Sequence, residues 1–164
     1  MIATVAELAE LSLSLRLFLK TYPWRRIDPT PWAQPRKTLA ESKLALVSTA
    51  GLVLPDQPRF DDDVKGGDWS YREIPDDADL STMIESHRSK SFDHAGIQAD
   101  ANLGLPLDRL HELVEAGAIG ATNRRHFSLM GSITAPGRLV AQSAPAVADA
   151  LAGDHVDAAL LIPI

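Results

Sequence analysis

Apolar side chains recur along this chain with two different periods. Val5, Leu8, Leu11, Leu15, Phe18 and Leu19 fall on one helical face. They predict a helix over 4–20, with Thr4 as N-cap and Glu7 three residues on, at capping-box spacing. The helix must stop before Pro23. From Tyr22 to Pro35 the prolines at 23, 29, 31 and 35 forbid regular helix, and Trp24 and Trp32 predict a strap packed on other structure. Leu44–Thr49 is a short apolar run ending at Ala50-Gly51, the signature of a buried parallel strand. Tyr71–Ile74 and Leu80–Glu85 read as strands around a Pro75–Asp79 turn, and 55–68 and 86–104 read as loops. Pro106 opens a second helix, with Leu107, Leu110, Leu113 and Val114 inward and Gly117 as its C-terminal stop. Ile119–Met130 holds one or two strand pieces. Pro136–Ala152 reads as a helix with Leu139, Val140, Val147 and Leu151 inward, kinked at Pro145. Val156–Ile164 is a last buried-strand run.

Strands alternating with helices predict an α/β fold: a largely parallel sheet with flanking helices, Rossmann-like and doubly wound. Two regions are expected, an N-terminal helix and strap over 1–38 and an α/β domain over 39–164. The closing run VDAALLIPI is apolar to its last residue, whereas domain ends are ordinarily polar. In open α/β sheets ligands bind beyond the carboxyl ends of the strands, so the chain stops where a site belongs. The expectation is a fold incomplete at its C-terminus.

Composition narrows the chemistry. None of the 164 residues is cysteine, which removes disulfides, thiolate metal sites and a cysteine nucleophile from this stretch. A net charge of −6 argues against a nucleic-acid partner. No segment reaches the roughly 18 apolar residues of a membrane span. The leucine-rich start lacks a basic n-region and a cleavage site, so a cytoplasmic chain is expected. Charge is uneven: residues 16–43 carry seven basic and two acidic side chains, residues 54–80 nine acidic and three basic. Two solvated faces, or a contact between strap and acidic loop, would both account for this.

Candidate site residues follow from residue type and place. His87, Asp93 and His94 lie in the aperiodic 86–104 segment and could serve as acid/base or substrate-contact groups. Their spacing fits no zinc helix, and no metal is expected. His126 follows a strand-like piece and could handle protons near neutrality. Arg124 or Arg125 could hold a substrate carboxylate bidentately, or form a surface ion pair. Ser48, Thr49 and Gly51 end the first strand, where backbone amides could face an anion. They do not spell GxGxxG, so no dinucleotide site is expected. Asp100 and Asn102 read as turn or cap formers; His111 and His155 read as solvated.

The ordered set LALVSTAGLVLP (44–55), GDWSYREIP (67–75), SH (86–87), FDHAGIQADANLGLPLDRLHEL (92–113), GAIG (117–120), RHFSLMG (125–131) and VDAALLIPI (156–164) resembles the B-subunit family of glycine, sarcosine, betaine and D-proline reductases. YPWRRIDPTPW (22–32) is similar to its D-proline-reductase-like branch. The resemblance implies an oxidoreductase subunit that reductively cleaves a C–N bond of proline, glycine or a related amino-acid derivative. It implies a selenocysteine directly after the strand resembling VDAALLIPI, so that the chain as given would end at that position and be inactive alone. It further implies a pyruvoyl group on a partner subunit, a thiol electron donor and an oligomeric assembly. No cofactor belongs to the 164 residues themselves. Two other readings compete: a cysteine-free binding or scaffold relative without catalysis, and a histidine-based hydrolase or metal enzyme built on His87, His94 and His126.

Overall fold

The computed structural model describes residues 11–23, 26–89 and 94–164. The chain divides into two compact units, Met1–Gln34 and Pro35–Ile164. In the first, helix α1 spans Leu13–Thr21, and the Ser12 hydroxyl caps it by accepting the Leu15 N–H at 3.3 Å. Leu11 and Ser12 are not helical, so the helix expected over 4–20 is broken there. A serine hydroxyl competes with the backbone and favours a cap over a helix interior. Thr4, Val5, Glu7 and Leu8 lie outside the described residues. Trp32 is 83% exposed, and Trp24 lies outside the described residues.

The second unit is built on a mostly parallel sheet. Its strands are β1 (Lys43–Ser48), β3 (Tyr71–Pro75), β5 (Ala121–Thr122), β6 (Arg125–Leu129) and β7 (Ala158–Ile162). β2 (Leu52–Val53) and β4 (Ile84–Glu85) form a separate antiparallel pair. β1 is central: β5 and then β6 run parallel to it along one edge, and β7 runs parallel along the other. β3 closes the far side antiparallel to β6. The architecture is α/β, as the alternation of patterns predicts.

The LALVS run becomes β1 because its apolar residues are covered on both faces. Leu44, Leu46 and Ile74 enter a core with Leu52, Leu105, Leu107, Leu110 and Ile119. Fully burying one such leucine contributes roughly 2 kcal/mol. Helix α3 (Leu107–Glu115) supplies Leu107 and Leu110, but Leu113, expected inward, is exposed. Gly117, at φ +71°, ends α3 through its N–H to the Val114 carbonyl at 2.9 Å, while Ala118 N–H reaches Leu113 at 2.9 Å.

Local side-chain bonds overturn two expectations. Leu80–Glu85 is not one strand: Asp79 accepts the Ser81 N–H at 2.9 Å and its hydroxyl at 2.6 Å, closing a 3-10 turn over Leu80–Thr82. Only Ile84–Glu85 remains to pair with β2. Nor is 86–104 a plain loop. It contains α2 (His94–Ala99) and a 3-10 turn at Ala101–Leu103, both too short to imprint a helical period. Asp100 and Asn102 do cap: Asp100 accepts the Asn102 N–H at 2.9 Å, and Asn102 accepts the Asp108 N–H at 3.1 Å. Within the acidic stretch, Asp68 is buried and accepts the N–H groups of Asp61 and Ser70 at 2.9 and 2.8 Å. Part of the negative charge is therefore loop scaffolding rather than a solvated face.

The last helix opens with a π turn, Leu139–Ser143, and continues as α4 (Ala144–Gly153), with Pro145 in its first turn. The irregularity expected at Pro145 takes the form of this wide turn just before the proline. β7 corrects a larger expectation. It pairs with β1 over its full length, yet Leu160 and Leu161 are 48% and 68% exposed. Pairing satisfies the backbone groups on its β1-facing edge, but burial of an apolar run also requires elements over it, and β7 has a paired neighbour on one side only among the described residues.

Candidate functional site

The carboxyl ends of β1, β6 and β7 meet at the turn Ser48–Gly51. Thr49 N–H donates to the Ile162 carbonyl at 3.0 Å, and the Thr49 hydroxyl oxygen accepts the Ile164 N–H at 2.8 Å. Gly131 N–H donates to the Thr49 carbonyl at 2.9 Å. A Cβ on Gly131 would lie 2.8 Å from the Ile164 oxygen, so the absence of a side chain lets the backbones approach. Ser48 is fully buried, and its hydroxyl donates to the Gly104 carbonyl at 2.5 Å while accepting the Ala50 N–H at 3.1 Å. Gly51 adopts φ +69°, and a Cβ there would press at 3.1 Å on the His87 backbone. Ser48, Thr49 and Gly51 thus spend their polar groups on fixing the turn.

Across that turn stand His87 and His94. Ser86 N–H donates to the Gly51 carbonyl at 2.9 Å, which docks the 86–89 segment on the strand end. Glu85, whose side chain is 7% exposed, binds both histidines: one oxygen accepts the His87 N–H, the other lies 2.7 Å from His94 Nδ1. His94 Nε2 faces the Ser89 carbonyl at 2.8 Å. His87 Nδ1 accepts the Ser89 N–H at 3.2 Å. Burial, more than any other influence, pushes His87 below its usual pKa, and the neighbouring charges of His94 and Arg88 act in the same direction against Glu85 and Asp62. A cavity of about 280 Å³ opens beside Glu85, with Leu52, Leu80, Met83 and Ile97 on its walls. Asp93 lies outside the described residues.

His126 is held elsewhere. Between the register pairs Leu44↔Thr122 and Val47↔Phe127, the β5–β6 segment has two residues more than β1, which makes a bulge. The His126 ring fills it. Its Nδ1 accepts the Leu46 N–H at 3.0 Å, and its Nε2 donates to Asp76 at 2.9 Å. An amide can only donate, so Nδ1 is unprotonated and the imidazole is neutral. Burial lowers its pKa and outweighs the pull of Asp76. Asp76 also accepts from His111 at 3.0 Å and Thr122 at 2.6 Å, and these bonds hold its carboxyl below the usual range despite burial. His111 is therefore not simply solvated, as its place on α3 suggested. His155, at φ +56°, lies exposed in a turn.

Arg124 and Arg125 lie towards the amino end of β1. Arg125 Nε donates to Asp154 at 2.7 Å and Nη1 to Glu73 at 3.0 Å; Arg124 reaches Asp154 at 3.1 Å. Asn123 adds a bond to Asp154 at 3.1 Å. The Arg125 contact, then Asn123, depress the Asp154 pKa strongly. The structure thus brings Ser48, Thr49, Gly51, His87 and His94 to one corner. Among the described residues, His126, Arg124 and Arg125 share no hydrogen-bond partner with them. Glu85, Asp76 and Gly131 escaped sequence reasoning. The only cue to Glu85 was an acidic residue closing an apolar stretch two positions before a histidine.

A model of the family described as glycine/sarcosine/betaine reductase selenoprotein B matches residues 11–163. The chain belongs to this family. It is 32% identical over 136 residues to the D-proline reductase subunit gamma of Acetoanaerobium sticklandii, covering 82% of this chain and 54% of that one. It is 26% identical over 159 residues to the glycine reductase complex component B subunit gamma of Symbiobacterium thermophilum, covering 97% and 37%. With the betaine reductase complex component B subunit beta of Peptoclostridium acidaminophilum it shares 27% over 130 residues, covering 79% and 30%. The chain therefore spans about half the length of the first relative and less of the others. No solved structure matches. No described helix is long and apolar enough to cross a membrane.

Proposed function

We propose that this chain works within a reductase subunit that cleaves a C–N bond of proline, glycine or a related amino-acid derivative, in a cytoplasmic complex with a partner reductase subunit. The observation that carries the reading is the family match over nearly the whole chain, with a D-proline reductase subunit among its relatives. The site geometry supports it. The turn Ser48–Gly51 stands at the carboxyl ends of parallel strands, where α/β sheets place ligands.

The 164 residues hold no cysteine, so the redox selenol, or a thiol in its place, must come from outside them. We place it next to Ile164. Thr49 anchors the Ile164 N–H, and the space left by Gly131 admits the Ile164 carbonyl, so this corner has groups fit to hold the backbone leading to such a residue. When present, the selenol supplies a soft nucleophile ionised at neutral pH. Within the chain, Ser48 and Gly51 fix the turn, and His87 and His94 are the groups able to handle protons beside it. A pyruvoyl group on the partner and a thiol electron donor complete the proposed system.

The test is assembly of the whole subunit, including the segment that carries the selenol, with the partner subunit and a dithiol donor, offering D-proline, glycine, sarcosine and betaine in turn. The expected result is donor-dependent loss of one substrate, with a ring-opened amino acid or a released amine as product. An assembled complex that reduces none of them would overturn the reading and favour the scaffold alternative.

A further inference from the structure

The number of protons on the Glu85–His94 pair follows from its geometry. His94 Nε2 lies 2.8 Å from the Ser89 carbonyl, which only accepts. Its Nδ1 lies 2.7 Å from a carboxyl oxygen of Glu85. A neutral imidazole carries a single N–H. Two acceptors require two protons, both on the ring or one on the ring and one on the carboxyl. Either way the pair holds one proton more than a neutral histidine beside a carboxylate. The other Glu85 oxygen accepts the His87 N–H, and the side chain is nearly closed to water.

We infer that Glu85 is a positioning residue that keeps a proton on His94, and that His94 delivers this proton during reductive C–N cleavage. The inference rests on the reductase reading above. His87, beside the pair, feels the charges of Glu85 and His94 together with those of Arg88 and of Asp62 from the acidic loop; Asp93, the residue before His94, lies outside the described residues. Of the two histidines beside the turn, His87 is the poorer proton carrier, because its Nδ1 accepts the Ser89 amide and burial pushes its pKa down. In the step, the C–N bond breaks and its electron pair goes to nitrogen, which takes the His94 proton. The carbon gains two electrons and one proton from a dithiol or selenol–thiol donor. That donor is oxidised to the disulfide or selenenylsulfide, and its second proton restores the pair.

Nitrogen-15 NMR of the histidine rings tests the proton directly on this chain. At pH 7 both His94 ring nitrogens are expected to be protonated. Glu85→Gln should move their deprotonation to lower pH, and Glu85→Asp should restore part of the shift. A His94 ring with one bare nitrogen at pH 7, or a titration unmoved by Glu85→Gln, overturns the inference. In the assembled reductase, Glu85→Gln should lower turnover at least about tenfold at pH 8 and much less at pH 6, because one unit in a pKa is tenfold in protonated fraction. A merely structural loss would lower both alike, and that result also overturns the inference. If NMR shows the expected protons but the complex reduces no amino-acid substrate, the reductase reading fails while the proton assignment stands.

Discussion

Two of the histidine–carboxylate pairs, His126–Asp76 and His94–Glu85, differ in their backbone partners, and those partners give them opposite properties. His126 meets Asp76 with one nitrogen and the Leu46 amide with the other, so a donor fixes it as a neutral ring. His94 meets Glu85 with one nitrogen and the Ser89 carbonyl with the other, so acceptors on both sides demand an extra proton. The first ring bridges a bulge in the middle of the sheet, fully buried. The second is half-buried and bonded to Glu85, which lines a cavity. Exchanging an amide donor for a carbonyl acceptor turns a structural bracket into a candidate proton carrier. The ion-pair partner alone does not distinguish them.

The comparison breaks most sharply at His126. His126→Ala would strand the buried Leu46 N–H and remove one of the three side chains that hold the Asp76 carboxylate. It is expected to cost about 3 kcal/mol or more in urea denaturation. A loss under about 1 kcal/mol would show that the bulge does not depend on the ring. The pH dependence has a fixed sign. Because burial depresses the folded-state pKa, the unfolded chain binds a proton first. The contribution is complete above the unfolded pKa of about 6.5 and is lost as pH falls below it towards the folded value. Stability should therefore decline from pH 7 to 5, and this slope should be shallower in His126→Gln, with His87, whose pKa burial also lowers, supplying the part that remains.

Gly51→Ala acts on the other pair. It forces a side chain into a left-handed conformation and against the His87 backbone. The expected cost is about 1–2 kcal/mol, with NMR changes at His87 and His94 and none at His126. Equal changes at all three would mean that the two pairs are coupled. The smallest effect belongs to β7: Leu161→Ser, at an exposed position, should stay within about 0.5 kcal/mol by urea denaturation. A loss near 2 kcal/mol would mean that β7 is buried in solution.

The strands at 44–49 and 71–74, the helix opened by Pro106 and its stop at Gly117 were legible because short-range rules govern them. Apolar runs want cover, proline ends or opens helices, and glycine takes positive φ. The Leu80–Glu85 run failed because one aspartate closed a local turn. The 86–104 stretch failed because two short helical turns carry too little periodicity. In the candidate site, Ser48, Thr49 and Gly51 were legible as the end of a strand and His87 and His94 as members of an aperiodic segment, but neither their meeting at one corner nor the part of Glu85 was.

The sequence by itself determined the α/β alternation, the absence of any thiol and the ordered motifs that mark the family. Tertiary structure alone decided which histidine is neutral, that Arg124 and Arg125 are held by Asp154 and Glu73, and that the last apolar run is exposed. The reason is range. Propensity and capping act over three or four neighbours, whereas a ring's proton count and an arginine's availability are set by partners far along the chain, such as Leu46, 80 positions from His126.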